Sequence, residues 1–413
     1  MKTKPFVIPK PLVAEAYKLV KARKGAGGID EVSLAKFEEN LKDNLYKIWN
    51  RLSSGSYFPP SVKGVEIPKK SGGKRRLGIP TIADRVAQMV IRLKFEPLVE
   101  PHFHEDSYGY RPKRSALDAV GVTRKRCWKF DWVLEFDIKG LFDNIDHSLL
   151  MRAVRKHTEC KFTILYIERW LTADMVMPNG DTIKRTRGTP QGGVISPVLA
   201  NLFLHYVFDK WLEINYPDIK WCRYADDGLL HCKTLKQAEF FKDILRKRFI
   251  ECGLEMHPEK TKIAYCKDAD RRKDYPITSF DFLGYTFRPR VAKNKYGKLF
   301  TSFLPGVSKE ALKAMNAETR KRGFRNSTEL SLEDISRMYN SVLRGWFNYY
   351  GKYYPSALAP LWRHFNRTLV AWAMRKYKKL KGKSRTIEMF ERIVKQNPKL
   401  FVHWQKGIKG AFA

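Results

Sequence analysis

Three acids in this chain have the types and spacing for metal chemistry. The run Trp221-Cys222-Arg223-Tyr224-Ala225-Asp226-Asp227-Gly228 puts adjacent carboxylates at a tight turn, and Asp137 ends a separate apolar strand upstream. Ionised neighbours repel, so their pairing points to a cation between them. Two magnesium ions on such hard oxygens would polarise an attacking hydroxyl and neutralise the departing pyrophosphate of an in-line phosphoryl transfer. Asp-Asp-Gly is also ordinary turn chemistry, and Asp137 or Asp227 alone would pass for a turn cap. The set of three, with its company along the chain, carries the metal reading.

The elements that must position these acids can be read from periodicity. Helical patterns cover residues 11–23 and 33–52. Val62 to Pro68 and Arg75 to Ile79 read as a hairpin around the basic turn Lys69-Lys70-Ser71-Gly72-Gly73-Lys74. Helices are expected over 81–99, 147–156 and 235–251, a strand over 132–138, and an apolar helix after a Gly-rich turn over 192–211. Residues 219–233 read as a hairpin with Asp226-Asp227-Gly228 at its tip. Strands alternating with helices predict an α+β catalytic body. Beyond about residue 305 helices dominate, and Leu358, Leu361, Phe365, Leu369 and Trp372 form one apolar stripe.

Composition narrows the partner. The 413 residues suffice for two or three domains, and 43% hydrophobic content argues for real cores. Seventy-nine Lys and Arg against 43 Asp and Glu leave a formal charge of +36, which favours a polyanion, nucleic acid first. From Lys352 to Lys409 there are 15 Lys and Arg and two acids, interleaved with Tyr353, Tyr354, Trp362, Phe365, Trp372 and Tyr377. Cations and rings in that mixture suit phosphate contacts and base stacking, although the apolar stripe claims some of the rings for a core. No apolar run is long enough to span a bilayer, and the basic start Met1-Lys2-Thr3-Lys4-Pro5 has no signal core behind it. Six cysteines without a Cys-x-x-Cys pair fit a reducing cytoplasm rather than a zinc ribbon or disulfide scaffold.

Seven blocks in order then resemble one family. They are Arg76-Leu77-Gly78-Ile79-Pro80-Thr81, Ser107-Tyr108-Gly109-Tyr110-Arg111-Pro112, Phe136-Asp137-Ile138-Lys139-Gly140-Leu141-Phe142-Asp143, and Gly188-Thr189-Pro190-Gln191-Gly192-Gly193-Val194-Ile195-Ser196-Pro197. Tyr224-Ala225-Asp226-Asp227, His257-Pro258-Glu259-Lys260-Thr261-Lys262 and Phe282-Leu283-Gly284-Tyr285 complete the series. Over nearly its whole length the chain resembles the bacterial group II intron reverse transcriptase/maturases. It departs from that pattern at Lys113, where Gly is usual, and at Leu117, where His is usual.

The resemblance implies a right-hand polymerase fold. Residues 1–130 would form an N-terminal extension and fingers, and 131–290 a palm with an antiparallel sheet. Residues 305–380 would form an all-α thumb/maturase domain, and 381–413 a basic tail that is a candidate DNA-binding segment. Asp137, Asp226 and Asp227 would be catalytic and, with the Ile138 carbonyl, hold two magnesium ions. Lys69 and Arg75 would grip the nucleoside triphosphate from the hairpin, although Lys70, Lys74 and Arg76 share their chemistry. Phe142 would lie under the incoming sugar and clash with a 2′-hydroxyl, favouring a DNA product. Gln191 would touch the sugar, and Lys260 the reacting phosphates unless it only solvates a helix end. Tyr339-Asn340-Ser341-Val342-Leu343-Arg344-Gly345-Trp346-Phe347-Asn348-Tyr349-Tyr350 resembles the maturase region. Arg344, Lys352, Arg363, Arg367, Arg375 and Lys376 are its candidate RNA contacts.

The expected partners are an RNA template, a DNA primer or target and deoxynucleoside triphosphates, without a membrane. The choice between monomer and dimer stays open. No endonuclease domain is expected after Trp404. A host-adopted relative in defence or repair would keep every catalytic residue. A non-catalytic RNA-binding splicing factor would be free to lose the three acids, and a DNA-packaging protein would not need the ordered motifs.

Overall fold

The computed structural model describes residues 4–68, 73–380, 382–408 and 412. The chain divides into two compact units: Met1–Ala119 with Leu134–Lys262, and Val120–Val133 with Ile263–Ala413. Residues 120–133, which the sequence reading divides between fingers and palm at residue 130, group with the second unit.

In the first unit, helix Lys10–Arg23 buries Val13, Ala16, Tyr17 and Val20 and packs on helix Ile82–Val99. Its strands are β1 (Val62–Pro68), β2 (Lys74–Ile79), β3 (Trp132–Asp137, in this unit from Leu134), β4 (Met175–Val176), β5 (Thr182–Ile183), β6 (Lys220–Tyr224) and β7 (Asp227–Cys232). β1 and β2 pair antiparallel from Lys63↔Ile79 to Pro68↔Lys74, β4 joins β1 in parallel, and β5 closes on β4. In the second sheet β6 and β7 form an antiparallel hairpin and β7 neighbours β3.

β3 is almost wholly buried, as its Val-Leu-Glu-Phe sequence suits a central strand. Phe136 on it packs against Phe208 and Phe249, with ring centroids 5.3 and 5.7 Å away. Phe208 lies in a π-turn, His205–Asp209, between helices Ser196–Leu204 and Lys210–Asn215. Phe249 comes from helix Leu235–Glu251, which Thr234 caps. The expected elements are present; helix Lys161–Leu171 and the short strands β4 and β5 were not expected, and Asn40 divides the 33–52 pattern into helices Leu34–Glu39 and Leu41–Ser54.

Besides Val120–Val133, the second unit holds β8 (Lys262–Tyr265), whose first residue belongs to the other unit. It continues through β9 (Phe280–Phe282), β10 (Tyr285–Lys293) and β11 (Leu299–Val307), the last three forming a sheet in the order β11-β10-β9. The long β10–β11 hairpin was not expected, because Arg288, Pro289 and Arg290 interrupt hydrophobic alternation there. Helices follow at Lys309–Lys321, Leu332–Tyr350, Ala359–Lys376, Lys383–Gln396 and Val402–Gln405. Ser331 and Asp334 form a capping box that starts the second of these.

Two expectations about this region need correction. Trp362, Phe365 and Trp372 are buried in the helical core together with Tyr339 and Leu343, so these rings do not face solvent for base stacking. Their spacing of three and four places them on one inward stripe, and burying a ring there outweighs leaving it exposed. The segment read as a basic tail is likewise folded. Phe390, Phe401, Trp404 and Phe412 join the same core while the cations around them point outward.

Candidate active site

The acids of the first unit are set by a strained hairpin. Tyr224 pairs with Asp227 across β6 and β7, leaving Ala225 and Asp226 as a two-residue turn. Asp227 and Gly228 therefore already belong to β7, a shift of one residue from the expected tip. Ala225 has φ of 56°, a left-handed conformation that costs a non-glycine residue and persists only where neighbours enforce it.

The enforcing neighbour is Arg223. Its side chain is fully buried and holds Asp209 with Nε and Nη2, at 2.9 and 2.6 Å. Its Nη1 donates to Asn201 Oδ1 at 3.2 Å and to the Ala225 carbonyl at 3.3 Å. Asn201 in turn donates to the Gly109 carbonyl at 2.7 Å. A side chain on Gly228 would place its Cβ 2.1 Å from the Phe136 ring. Thus the acid turn is pinned from behind by an ion pair and below by an aromatic ring. Sequence reasoning quoted Arg223 only as part of a motif and missed Asp209 and Asn201. Charged residues in otherwise apolar segments were the available signal.

Asp137 is buried at the end of β3, and its carbonyl accepts a 2.8 Å bond from the His257 amide. Lys260 reaches the Asp137 carboxylate at 2.5 Å. Ile138, buried beside it, bridges to Met256. Asp226 is half-buried and Asp227 reaches solvent. Desolvation in the crowded site, then the neighbouring acids, hold both above the ordinary carboxylate range; Lys260 opposes the shift. Asp227 is pushed up to about 7, with Asp226 and Asp137 as the repelling charges. Water reaches Asp227, so screening softens the desolvation, and the like-charge repulsion is the sturdier contribution.

Among the described residues no three His, Cys, Asp or Glu side chains stand close enough together to hold a metal ion as they are arranged. The donor chemistry nevertheless fits a divalent cation. Asp137 and Asp226 raise the proton affinity of Asp227, and Asp137 has already recruited an ammonium group.

Arg75, Gln191 and Asp143 form a second cluster. Gln191 donates to Asp143 at 3.0 Å and accepts from Arg75 Nε, so the three side chains form a chain. Arg75 also bears electrostatically on Asp226, lowering its proton affinity. The Gln191 loop is stitched down: Gly78 donates to the Gln191 carbonyl at 2.8 Å, and Gln88 Oε1 accepts from the Val194 amide at 2.7 Å. At Gly192 φ is 126° and a Cβ would meet the Gly78 carbonyl at 2.4 Å, so this crossing requires glycine. Gln88 is held by Asp84, a buried carboxylate that also receives Tyr57 and Trp170.

Phe142 is buried, its carbonyl accepting the Thr189 amide at 2.7 Å, and Tyr110 meets its ring edge-on at 6.3 Å. Tyr110, missed from sequence, has φ of 58° and a proton affinity raised by burial and then by Asp226. Asp137, Asp226, Asp227, Lys260, Arg75, Gln191 and Phe142 all belong to the first unit. Lys69 lies outside the described residues.

In the second unit Arg344, Lys352, Arg363, Arg367 and Arg375 are exposed, whereas Lys376 is partly buried and donates to the Thr328 and Leu330 carbonyls at 2.8 and 2.7 Å. No helix of the described residues is long and apolar enough to cross a membrane. No disulfide joins any of the six cysteines.

Residues 67–287 match the family described as reverse transcriptase (RNA-dependent DNA polymerase), and residues 312–389 match the group II intron maturase-specific domain. Protein YkfC of Escherichia coli K12 is 31% identical over 335 residues, covering 70% of this chain and 82% of its own. The group II intron-encoded protein LtrA of Lactococcus lactis subsp. cremoris is 30% identical over 424 residues, covering 81% of this chain and 68% of its own. A telomerase structure from Candida albicans aligns with a TM-score of 0.46 at 14% identity, covering 91% of this chain and 68% of that one. The chain belongs to the reverse transcriptase family: it is an RNA-directed DNA polymerase with a right-hand polymerase fold and a group II intron maturase-specific domain.

Proposed function

We propose that Asp137, Asp226 and Asp227, with the Ile138 carbonyl, hold two magnesium ions and that the chain copies group II intron RNA into DNA. The observation that carries this reading is that the charges of Asp226 and Asp137 bear on Asp227 while Lys260 pairs with Asp137. Polymerases of this family work with divalent metal. When bound, the ions supply Lewis-acid activation and charge neutralisation. The protein's part is positional. Arg223 fixes the acid turn, Lys260 offsets carboxylate charge, and Arg75 presents a cation for the triphosphate, with Lys69 six residues before it in sequence. Gln191 orients the nucleotide sugar, and Phe142 supplies a floor that rejects a 2′-hydroxyl.

Residues 1–130 act as fingers and 131–290 as palm in this reading. The exposed cations Arg344, Lys352, Arg363, Arg367 and Arg375 contact RNA, with Lys376 supporting the loop beside them. Binding of the parent intron would make the chain a maturase as well, with a DNA primer or target as the remaining partner. The test is primer extension by the purified protein on an RNA template with deoxynucleotides and magnesium. Extension supports the polymerase assignment. Its absence, with tight salt-sensitive RNA binding retained, would leave an RNA-binding splicing factor.

A further inference from the structure

Outside the acid cluster and the nucleotide set, the first unit has a pocket of about 460 Å³ lined mainly by His102, Lys156, His157, His205, Tyr206 and Lys210. No carboxylate lines it. The rings of His102 and His157 face each other at 4.7 Å, and His157 Nε2 lies 2.8 Å from the Tyr206 hydroxyl. Lys156 sits 4.9 Å over the Tyr206 ring. His205 is only 5% exposed, and its Nδ1 has no hydrogen-bond partner among the described residues. The nearest acid, Asp209, is 3.9 Å from that nitrogen and is committed to Arg223 at 2.6 Å. Lys210 pairs loosely at the surface with Glu213, at 3.0 Å.

These groups restrain one another's charge. Burial, then His102 and Lys156, hold His157 below the ordinary histidine range. Burial takes His205 down to about 4, with Arg223, His157 and Lys210 acting in the same direction and Asp209 against it. His205 and Tyr206 are delivered by the π-turn, a helical irregularity that recurs at functional sites. The three histidines do not form a metal site, since no set of three such ligands is grouped closely enough among the described residues. A cavity of this size with donors, cations and no acceptor carboxylate suits an anion, and an anion there would relieve the mutual repulsion.

We propose that this pocket binds a phosphate group. The group comes either from a free phosphate compound or from a nucleic-acid backbone. The proposal stands apart from the polymerase assignment, because its test needs neither magnesium nor nucleotide incorporation.

The experiment follows imidazole proton resonances of the full-length protein in EDTA, titrated with sodium sulfate as a phosphate stand-in whose charge does not change near neutrality. Saturable shifts of His102 and His157 are expected, with binding that tightens as pH falls below the ordinary histidine range, because burial and the neighbouring cations keep His157 uncharged until then. The Lys156→Gln, Lys210→Gln double variant, which alters only exposed side chains, should bind about tenfold more weakly. The titration is then repeated with saturating RNA–DNA duplex. Loss of the sulfate response, with a duplex salt slope reduced by about two in the variant, assigns the phosphate to nucleic acid. A retained response assigns it to a free phosphate compound. Absence of saturable shifts, or identical titrations of wild type and variant, overturns the proposal.

Discussion

Gly228→Ala tests the packing beneath the acid turn. The added methyl would sit 2.1, 2.5 and 2.8 Å from three atoms of the Phe136 ring. Carbon atoms pack at roughly 3.5–4.0 Å, so the ring or the strand must give by more than about an ångström. The ring cannot yield freely, since Phe136 is 1% exposed and packs against Phe208 and Phe249. Overpacking of a filled core costs about 1–3 kcal/mol, and this contact belongs at the upper end. The strain lies one residue from Asp227, so part of it should appear as a displaced carboxylate and roughly a hundredfold slower extension. Urea unfolding and single-turnover primer extension would be measured for Gly228→Ala, Phe136→Leu and the double variant. The smaller ring should relieve the clash, making the double variant more stable than the sum of the single effects by about 1 kcal/mol or more. Additive losses, or a neutral Gly228→Ala, would refute the reasoning.

Other expectations follow from the same structure. Arg223→Lys removes the two-point grip on buried Asp209 and the bond to the Ala225 carbonyl, so it should cost about 3–5 kcal/mol in unfolding experiments. Phe142→Val should lower discrimination between deoxynucleotides and ribonucleotides by about a hundredfold in competitive incorporation, whereas a purely structural Phe142 would lower rate alone. His403 is fully buried, donates to Asn366 and is held down to about 3 by burial. The unfolded chain binds a proton below about pH 6.5 and the folded one does not, so this group's contribution falls as pH drops through that window. From pH 7 to 5 the loss is about 2 kcal/mol, measurable as the difference between wild type and His403→Gln in acid unfolding. The comparison with the variant is needed because Asp84, raised by burial to about 6, works in the opposite direction.

The acids and the candidate nucleotide contacts could be picked out because their chemistry is written in residue type and short spacing. Asp137 ends a strand whose periodicity is plain, and Asp226 and Gln191 sit in turns marked by their neighbours. What positions them was not legible, because it is assembled across the chain. Arg223 meets Asp209 and Asn201, and Gln88 bridges Asp84 to Val194, through contacts that no local pattern announces. The hairpin tip shifted by one residue because Ala225, not a glycine, accepts the left-handed backbone. Residues 381–413 read as a tail because charge masks the apolar contributions of Phe390, Phe401 and Trp404.

The most direct test replaces Asp226 and Asp227 together by asparagine and measures primer extension, template–primer affinity and, without magnesium, thermal stability. Asparagine keeps the shape and removes the repelling charges that hold both proton affinities up, while Asp137 keeps its lysine. The account predicts at least about a thousandfold loss of extension, with affinity kept and Tm unchanged or higher. Retained extension with a lowered Tm would contradict it, leaving the paired acids a structural turn.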